Sequence, residues 1–326
     1  MEQTRFRSIL VATLLTAALV FSMSGCGAAP QRTFRVGIVS PSAAYEPIIQ
    51  SFKDGLAEYG YIEGEDVIYI YDGPLPTNKI LHQLQQFGTD KVDLVLTLST
   101  STALAAKQIL ANGSIPVIFA PINNPLHAGL ISTMREPGGF MTGIKAGGYV
   151  EKELDWLLRV KPSIRQIYVP YNPYDVGVAE DFQHLKDTAA KLGIILVETK
   201  VTNSGELSSA LAQMSGDVDA ILLLEDTTSL EGIEQISKFA IERKIPLASI
   251  NKDNSKAGAL LSYGPDFSDV GRQCARLADQ IFKGIPPGTL PVESAELHLN
   301  INLQTAKAIG ITIPDDLLKA AETILR

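Results

Sequence analysis

The sequence predicts an α/β protein with two lobes, each built on a parallel β-sheet. Eight short apolar runs alternate with helical patterns along the chain, an order that favours parallel strands joined by right-handed crossovers. The runs are continuous in Val, Ile and Leu rather than alternating with polar residues, as is typical of strands covered on both faces. The predicted strands span residues 35–39, 66–71, 93–98, 116–120, 166–170, 194–198, 220–224 and 246–250.

An internal repeat indicates that the two lobes have a similar construction. FKDGLAEYG at residues 52–60 resembles LKDTAAKLG at 185–193, and KVDLVLTLST at 91–100 resembles DVDAILLLED at 217–226. The segments keep the same order in both halves, although α/β units in general share such features. Two Rossmann-like lobes leave a cleft between them, and ligands of open α/β sheets bind beyond the carboxyl ends of the strands. The residues after each strand are therefore the binding candidates.

The N-terminal segment predicts export and attachment to a membrane. A basic start and an apolar run at residues 9–21, too short for a bilayer core of about 30 Å, precede small residues and Cys26. This layout resembles a bacterial lipoprotein signal at residues 1–25, with Cys26 lipidated and residues 26–33 as a tether. The alternative is an ordinary cleaved signal followed by an unmodified cysteine. The predicted location is extracytoplasmic, anchored to the cell membrane.

Composition and missing motifs exclude several classes of function. The formal net charge is −8 and basic clusters are absent from the sequence, which argues against nucleic-acid binding. The sequence contains no Cys-x-x-Cys pair, no His-Glu-x-x-His, no Walker A or dinucleotide fingerprint and no Gly-x-Ser-x-Gly. We therefore expect no metal, no cofactor and no enzymatic activity, and we expect Cys274 to be a buried thiol.

In the first half, hydroxyl and amide side chains follow two of the predicted strands. Ser99, Thr100 and Ser101 begin a helix, where free backbone N–H groups and the helix dipole favour an anion such as a ligand carboxylate. The alternative is simple capping of that helix. Asn123 and Asn124 follow another strand and can donate and accept hydrogen bonds, or can serve only the turn.

In the second half, an acidic group takes the place of the hydroxyl cluster. Asp226 and Thr227 match Ser99 and Thr100, so that a ligand with both an amine and a carboxylate would suit the cleft; the alternative is a helix cap. Glu225 is adjacent, but neighbours near a strand end point apart. Tyr45, Tyr171 and Tyr263 are aromatic candidates for the cleft wall. The complete predicted ligand-binding set is Ser42, Ala43, Ser99, Thr100, Ser101, Asn123, Asn124, Tyr171, Asn172, Asp226, Thr227 and Asn251.

Four stretches, at residues 114–144, 170–175, 244–287 and 290–318, together resemble one family. They include SIPVIFAPINNPLHAGL, PYNPYD, SKAGALLSYGPDFSDVG and LHLNINLQTAKAIGITIPDD, and they are similar to the ABC transporter substrate-binding lipoproteins of the tryptophan/tyrosine-binding type. Many relatives carry His-Pro-x-Leu-Asp after the first strand and Asp-Pro before AGL. This sequence has SPSAAYEP and Asn-Pro there.

The resemblance implies a type I periplasmic-binding-protein fold, whose lobes are joined by a three-segment hinge and close on a small ligand, often an aromatic amino acid. It implies crossings near Lys145–Gly148, Asp253–Gly258 and Pro286–Pro291. The implied boundaries are residues 34–145 and 257–287 for the first lobe, and 146–256 and 288–326 for the second. The implied partner is an ABC permease in the membrane, and we expect a monomer. The alternatives are a ligand-binding sensor that presents its closed form to a membrane receptor, and an extracytoplasmic enzyme.

Overall fold

The computed structural model describes residues 32–111 and 115–326. The predicted signal peptide at residues 1–25, the lipidation of Cys26 and most of the tether lie outside the described residues. In the part of the chain that is described, no helix combines the length and the apolar character needed to cross a membrane.

Strands and helices alternate along the chain, as the apolar runs predict. In the first half the elements are β1 (Phe34–Val39), a 3-10 turn (Ala43–Tyr45), α1 (Glu46–Glu58), β2 (Val67–Ile70), α2 (Thr77–Asp90), β3 (Leu94–Leu98), α3 (Thr100–Ile109), β4 (Val117–Ile122) and β5 (Met141–Lys145). They continue with α4 (Val150–Val160), β6 (Gln166–Tyr171), α5 (Val178–Leu192), β7 (Ile195–Lys200), α6 (Ser204–Ala212), β8 (Ala220–Leu222), α7 (Thr227–Glu231), α8 (Ile233–Arg243) and β9 (Leu247–Ser249). The last elements are β10 (Leu261–Pro265), α9 (Phe267–Phe282), β11 (Glu293–Ser294), β12 (Leu297–Asn302), α10 (Leu303–Ile309), α11 (Asp315–Ala320) and β13 (Thr323–Leu325).

The strands form two sheets, and this confirms the predicted fold class. The first sheet has six strands in the order β11-β5-β4-β3-β1-β2, and all of its pairs are parallel. The second has seven strands in the order β13-β12-β10-β9-β8-β6-β7, and among its pairs only β10 with β12 is antiparallel. We call each sheet with the helices that cover it a lobe.

Each sheet has an apolar core on both faces, because its strands are apolar on both sides. In the first lobe, α1 and α9 cover one face through side chains such as Phe52 and Cys274. The other face packs on α2 and α3, and Phe87 lies so close to Gly37 that a Cβ there would be 2.5 Å from its ring. In the second lobe, α4 and α5 cover one face, and α6 and α8 cover the other. Cys274 is fully buried, as predicted.

Within the described residues the chain passes between the lobes at three places. These lie at residues 146–149, at Asp266 between β10 and α9, and at residues 295–296 between β11 and β12. The predicted boundaries are wrong on two points. Residues 261–265, predicted in the first lobe, form β10 of the second sheet, because they pair with β9 and β12. Residues 293–294, predicted in the second lobe, form β11 beside β5 of the first sheet.

Candidate ligand-binding cleft

The loop after β4, in the first lobe, forms side-chain hydrogen bonds with the start of α5 in the second lobe. The Asn123 side-chain amide donates hydrogen bonds to the Gly177 carbonyl at 3.2 Å and to Asp181 Oδ2 at 2.5 Å. The Asn124 amide donates to the two Glu180 carboxylate oxygens at 2.9 and 3.1 Å. Both asparagines, which the sequence predicts as ligand contacts, therefore hold the two lobes together across the cleft.

A second contact between the lobes involves the 3-10 turn after β1. Ser42 caps this turn by accepting a hydrogen bond from the Ala44 N–H at 3.1 Å. The turn lies against α7, and Leu230 of α7 packs into the first lobe's core beside Tyr45. Burial raises the pKa of Tyr45 well above its usual value, and negative charges of the second lobe, Asp175 first among them, raise it further. Tyr45 therefore lies close enough to acidic side chains of the second lobe to interact with them electrostatically.

Within the hydroxyl cluster at the start of α3, Ser99 is the helix cap. Ser99 has the left-handed φ of 95°, and its Oγ accepts from the Thr102 N–H at 3.4 Å and lies 3.0 Å from Ser101 Oγ. Thr100 is buried and borders a cavity of about 340 Å³ that Asn123, Asn124, Gly177 and Glu180 also line. The structure thus brings Thr100 together with the two asparagines.

Asp226 and Thr227 are committed to local structure at the start of α7. The fully buried Asp226 carboxylate accepts hydrogen bonds from the Ser229 N–H and hydroxyl, each at 2.8 Å, and so caps the helix. Burial raises the pKa of Asp226 to about 7, although the hydrogen bonds from Ser229 act to lower that pKa. The Thr227 N–H donates to Asp175 Oδ2 at 3.3 Å. Asp226 therefore caps α7, as the capping alternative predicts.

Glu225, adjacent to Asp226, contacts the first crossing segment, where the Tyr149 hydroxyl lies 3.4 Å from its Oε2. It keeps some accessible surface, yet protein atoms surround it so closely that burial raises its pKa well above the usual range. The charges of Asp181 and Asp175 raise that pKa further. The sequence shows both carboxylates after β8, but not that Asp226 caps α7 while Glu225 contacts the Tyr149 hydroxyl.

Tyr149, in the first crossing segment, is a cleft residue that sequence reasoning missed. Its hydroxyl donates weakly to Glu225 Oε2 at 3.4 Å, and its ring meets that of Tyr263 edge-on, with centroids 5.9 Å apart. Burial raises the pKa of Tyr149, and three carboxylates add to this effect, those of Glu225, Asp181 and Glu153. No motif marks a tyrosine in a connecting segment, so only its position between the lobes identifies it.

Three other predicted ligand contacts have structural partners. Tyr171 is buried and packs on the Phe182 ring, with centroids 4.3 Å apart. The Asn172 amide donates to Thr228 Oγ1 at 3.1 Å, and Asn251 Oδ1 accepts from the backbone N–H two residues later at 2.8 Å. Ala43 lies in the 3-10 turn. Over the described ranges, no cluster of three His, Cys, Asp or Glu side chains could hold a metal ion.

Comparisons with known proteins agree with this architecture. The family model of ABC transporter substrate-binding proteins matches residues 36–325. A tyrosine-binding protein of Clostridioides difficile is 28% identical over 266 residues, which are 80% of this chain and 76% of that protein.

Two solved structures show the same fold. An ABC domain from Streptococcus pneumonia in complex with L-Trp has a TM-score of 0.81 at 24% identity, covering 90% of this chain and 100% of that one. The ligand-free, open structure of a Clostridium difficile substrate-binding protein with adhesive properties has a TM-score of 0.67 at 24% identity, covering 90% and 99%. The family consists of solute-binding proteins rather than enzymes. This chain belongs to the ABC transporter substrate-binding protein family.

Proposed function

We propose that this chain is the extracytoplasmic solute-binding protein of an ABC importer, and that it binds a small molecule between its lobes by hinge closure. The observation that carries the proposal is the set of hydrogen bonds from Asn123 and Asn124 to α5 of the opposite lobe. Bonds of this kind exist only when the lobes meet, and the three short crossings are few enough to act as a hinge.

The mechanism follows from two states of the same chain. In an open form the Asn123 and Asp181 side chains separate and the cleft admits the ligand, and a ligand that contacts both walls shifts the population to the closed form. The higher TM-score with the L-Trp complex than with the ligand-free, open relative supports a closed arrangement here. An ABC permease would recognise that closed form.

For the ligand class, we propose an amino acid or an aromatic compound. The relatives include a tyrosine-binding protein and a domain solved with L-Trp. Tyr45, in the turn that lies against α7, and Tyr149, in the first crossing segment, supply aromatic side chains where the lobes meet. Of the residues predicted from sequence, we propose Thr100, Asn123 and Asn124 as those nearest the ligand, since they line the cavity between the lobes.

A thermal-shift screen of the purified protein tests the proposal. Amino acids, aromatic acids, nucleosides and small sugars form the panel, because a ligand that binds only the native state raises the melting temperature. We expect a hit that also reduces the radius of gyration in solution scattering, and we expect Asn123→Ala to weaken its binding about tenfold. Binding without compaction, or a panel without any hit, would contradict the proposal.

We further propose that Cys26 is lipidated after removal of residues 1–25, that the chain acts as a monomer and that it delivers its ligand to a permease. Intact mass of the membrane-extracted protein tests the lipid, and an unmodified N-terminus would exclude it. Uptake of the labelled hit by cells tests import. If deletion of the gene leaves uptake unchanged, the result favours the alternative that the chain is a ligand-binding sensor.

A further inference from the structure

The inner contact between the lobes buries a carboxyl group at their interface. Asp181, in the first turn of α5, accepts a hydrogen bond from the Asn123 amide of the first lobe at 2.5 Å, and the two residues are 8% and 7% exposed. The same amide donates to the Gly177 carbonyl, and a Cβ at Gly177 would lie 3.3 Å from Thr100 Oγ1. The first lobe therefore covers Asp181 directly, and Asp181 loses this cover when the lobes separate.

The charged groups that face Asp181 are mostly negative. Of the two cationic candidates, His184 bonds to Glu151 at 2.9 Å, and the Lys145 ammonium is 3.4 Å from the Gly147 carbonyl. No basic side chain of the described residues forms an ion pair with Asp181. The titratable groups that interact with it are Glu180 and His184 of α5, Glu151 and Glu153 of α4, Lys145 of β5, Tyr149 of the first crossing segment, and Glu225 after β8.

These surroundings favour the protonated form of Asp181 while the lobes are closed. Burial, and then the charge of Glu180, raise the pKa of Asp181 to about 7, although His184 and Lys145 act to lower it. A protonated carboxyl group keeps a carbonyl oxygen that can accept from the Asn123 amide, so the contact survives protonation. When the lobes separate, water replaces the first lobe at this carboxyl group and stabilises its ionised form. The closed form therefore holds the proton more tightly than the open form.

We propose that closing of the lobes takes up a proton at Asp181, so that the contact between Asn123 and Asp181 makes closure depend on pH. This inference rests on the proposed hinge closure, but it does not depend on which ligand binds. Because the closed form has the raised pKa, protonation supports closure fully below the pKa of the open form, and this support is lost as the pH rises through about 7. A solute is then held more firmly in mildly acidic surroundings and released more readily as the pH rises.

Two variants at one contact fix the lobes in the two states. Thr100→Cys combined with Gly177→Cys should form a disulfide that locks the closed form, because the 3.3 Å between a Cβ at 177 and Thr100 Oγ1 is compatible with the Cβ–Cβ separation of about 3.5–4.5 Å in disulfides. Gly177→Leu should hold the lobes apart, because its side chain would collide with Thr100 and Asn123. The φ of −72° and ψ of −20° at Gly177 are helical values that leucine also adopts.

Carbon-13 NMR of the aspartate carboxyl groups measures the titration in both forms without any ligand. The signal of Asp181 is assigned by its loss in Asp181→Asn. We expect its midpoint at about pH 7 in the locked form and at least about one pH unit lower in Gly177→Leu, a difference that corresponds to tenfold or more in the closure equilibrium. Asp187→Asn, on the exposed side of the same helix, is the matched control and should leave both midpoints unchanged.

Solution scattering separates this inference from the proposed hinge closure. If the locked form is more compact than Gly177→Leu but Asp181 has equal midpoints in both, or a midpoint below about pH 5 in the locked form, the inference fails and hinge closure stands. If the disulfide does not form, or if the two forms have the same radius of gyration, both fail. Should Gly177→Leu not fold, the reduced form of the double cysteine variant replaces it, and the midpoint of Asp181 should then be lower in the reduced form than in the oxidised form.

Discussion

The two walls of the cleft are built at equivalent places of similar lobes, yet they differ in charge. Ser99 caps α3 after β3 in the first lobe, and Asp226 caps α7 after β8 in the second. Just before the cap, the first lobe has the fully buried Leu98, whereas the second has Glu225. The first wall thus presents hydroxyls and amides, and the second presents carboxylates. A ligand held between unlike walls is oriented, because each end meets different chemistry.

The largest effect is expected where the two walls touch. Asn123→Asp places a carboxylate against Asp181 Oδ2, where an amide now donates at 2.5 Å. We expect a loss of about 2–4 kcal/mol of closure free energy while both are ionised. Burial, and then the charge of Glu180, raise the pKa of Asp181 to about 7, so protonation should restore closure below that pH. Ligand affinity and solution scattering between about pH 5 and pH 8 measure this effect.

Asn123→Ala is the control, because it removes the donor without adding a charge. At about pH 8, Asn123→Ala should reduce ligand affinity less than Asn123→Asp does. The loss of affinity in Asn123→Ala should also increase less as the pH rises. If the ligand affinity of Asn123→Asp does not change with pH, the walls do not meet through residues 123 and 181.

A second effect concerns how the folding stability of the protein depends on the protonation of Asp226. Burial raises the pKa of Asp226 to about 7. The folded state therefore holds this proton more tightly than the unfolded state, and stability falls as pH rises from about 4 through the folded pKa. Asp226→Asn keeps an oxygen for the helix cap and removes this dependence. We expect its melting temperature relative to the wild type to rise by a few degrees between about pH 5 and pH 8.

Asp155→Asn serves as the exposed comparison for that experiment, since Asp155 lies on the solvent side of α4 and pairs with Lys152 at 2.7 Å. Its difference from the wild type should stay nearly constant with pH. An Asp226→Asn variant that loses stability relative to the wild type as pH rises would mean that the cap needs the ionised carboxylate.

A smaller effect is expected at the outer contact between the walls. Asn124 and Glu180 are both only half-buried, so the repulsion in Asn124→Asp is screened by water. We expect ligand affinity to fall by no more than about fivefold, and added salt to recover most of the loss. Calorimetry at low and high ionic strength tests this. A loss equal to that of Asn123→Asp would show that the outer contact contributes to closure as much as the inner one.

The smallest effect is expected at the rim. Leu126 of the first lobe and Tyr174 of the second are 44% and 82% exposed in loops that follow β4 and β6. Leu126→Ser and Tyr174→Ser should leave ligand affinity within about twofold, because exposed positions without buried partners contribute little. A tenfold loss of ligand affinity in calorimetry would mean that these rim residues belong to the ligand-binding surface.

Much of the fold follows from local patterns. The eight predicted strands correspond to β1–β4 and β6–β9, because continuous apolar runs between helical patterns specify buried parallel strands. Among the strands that the apolar runs do not predict, β11 has two residues, β10 ends in Gly264 and Pro265, and the six-residue β12 alternates apolar and polar residues. Their pairing partners lie far away in the chain, so the lobe boundaries at residues 261–265 and 293–294 depended on tertiary contacts.

By itself, the sequence determined the alternation of strands and helices and the two lobes with mainly parallel sheets. Only the tertiary structure decided what each side chain after a strand contacts. Glu225 and Asp226 are adjacent and chemically alike, but Glu225 contacts Tyr149 of the first crossing segment and Asp226 caps α7. Tyr149, Asp181 and Glu153 come together only because the helices and the crossing segment pack in one way. Periodicity is a property of neighbours in the chain, whereas a site made of distant residues depends on how the packed elements orient them.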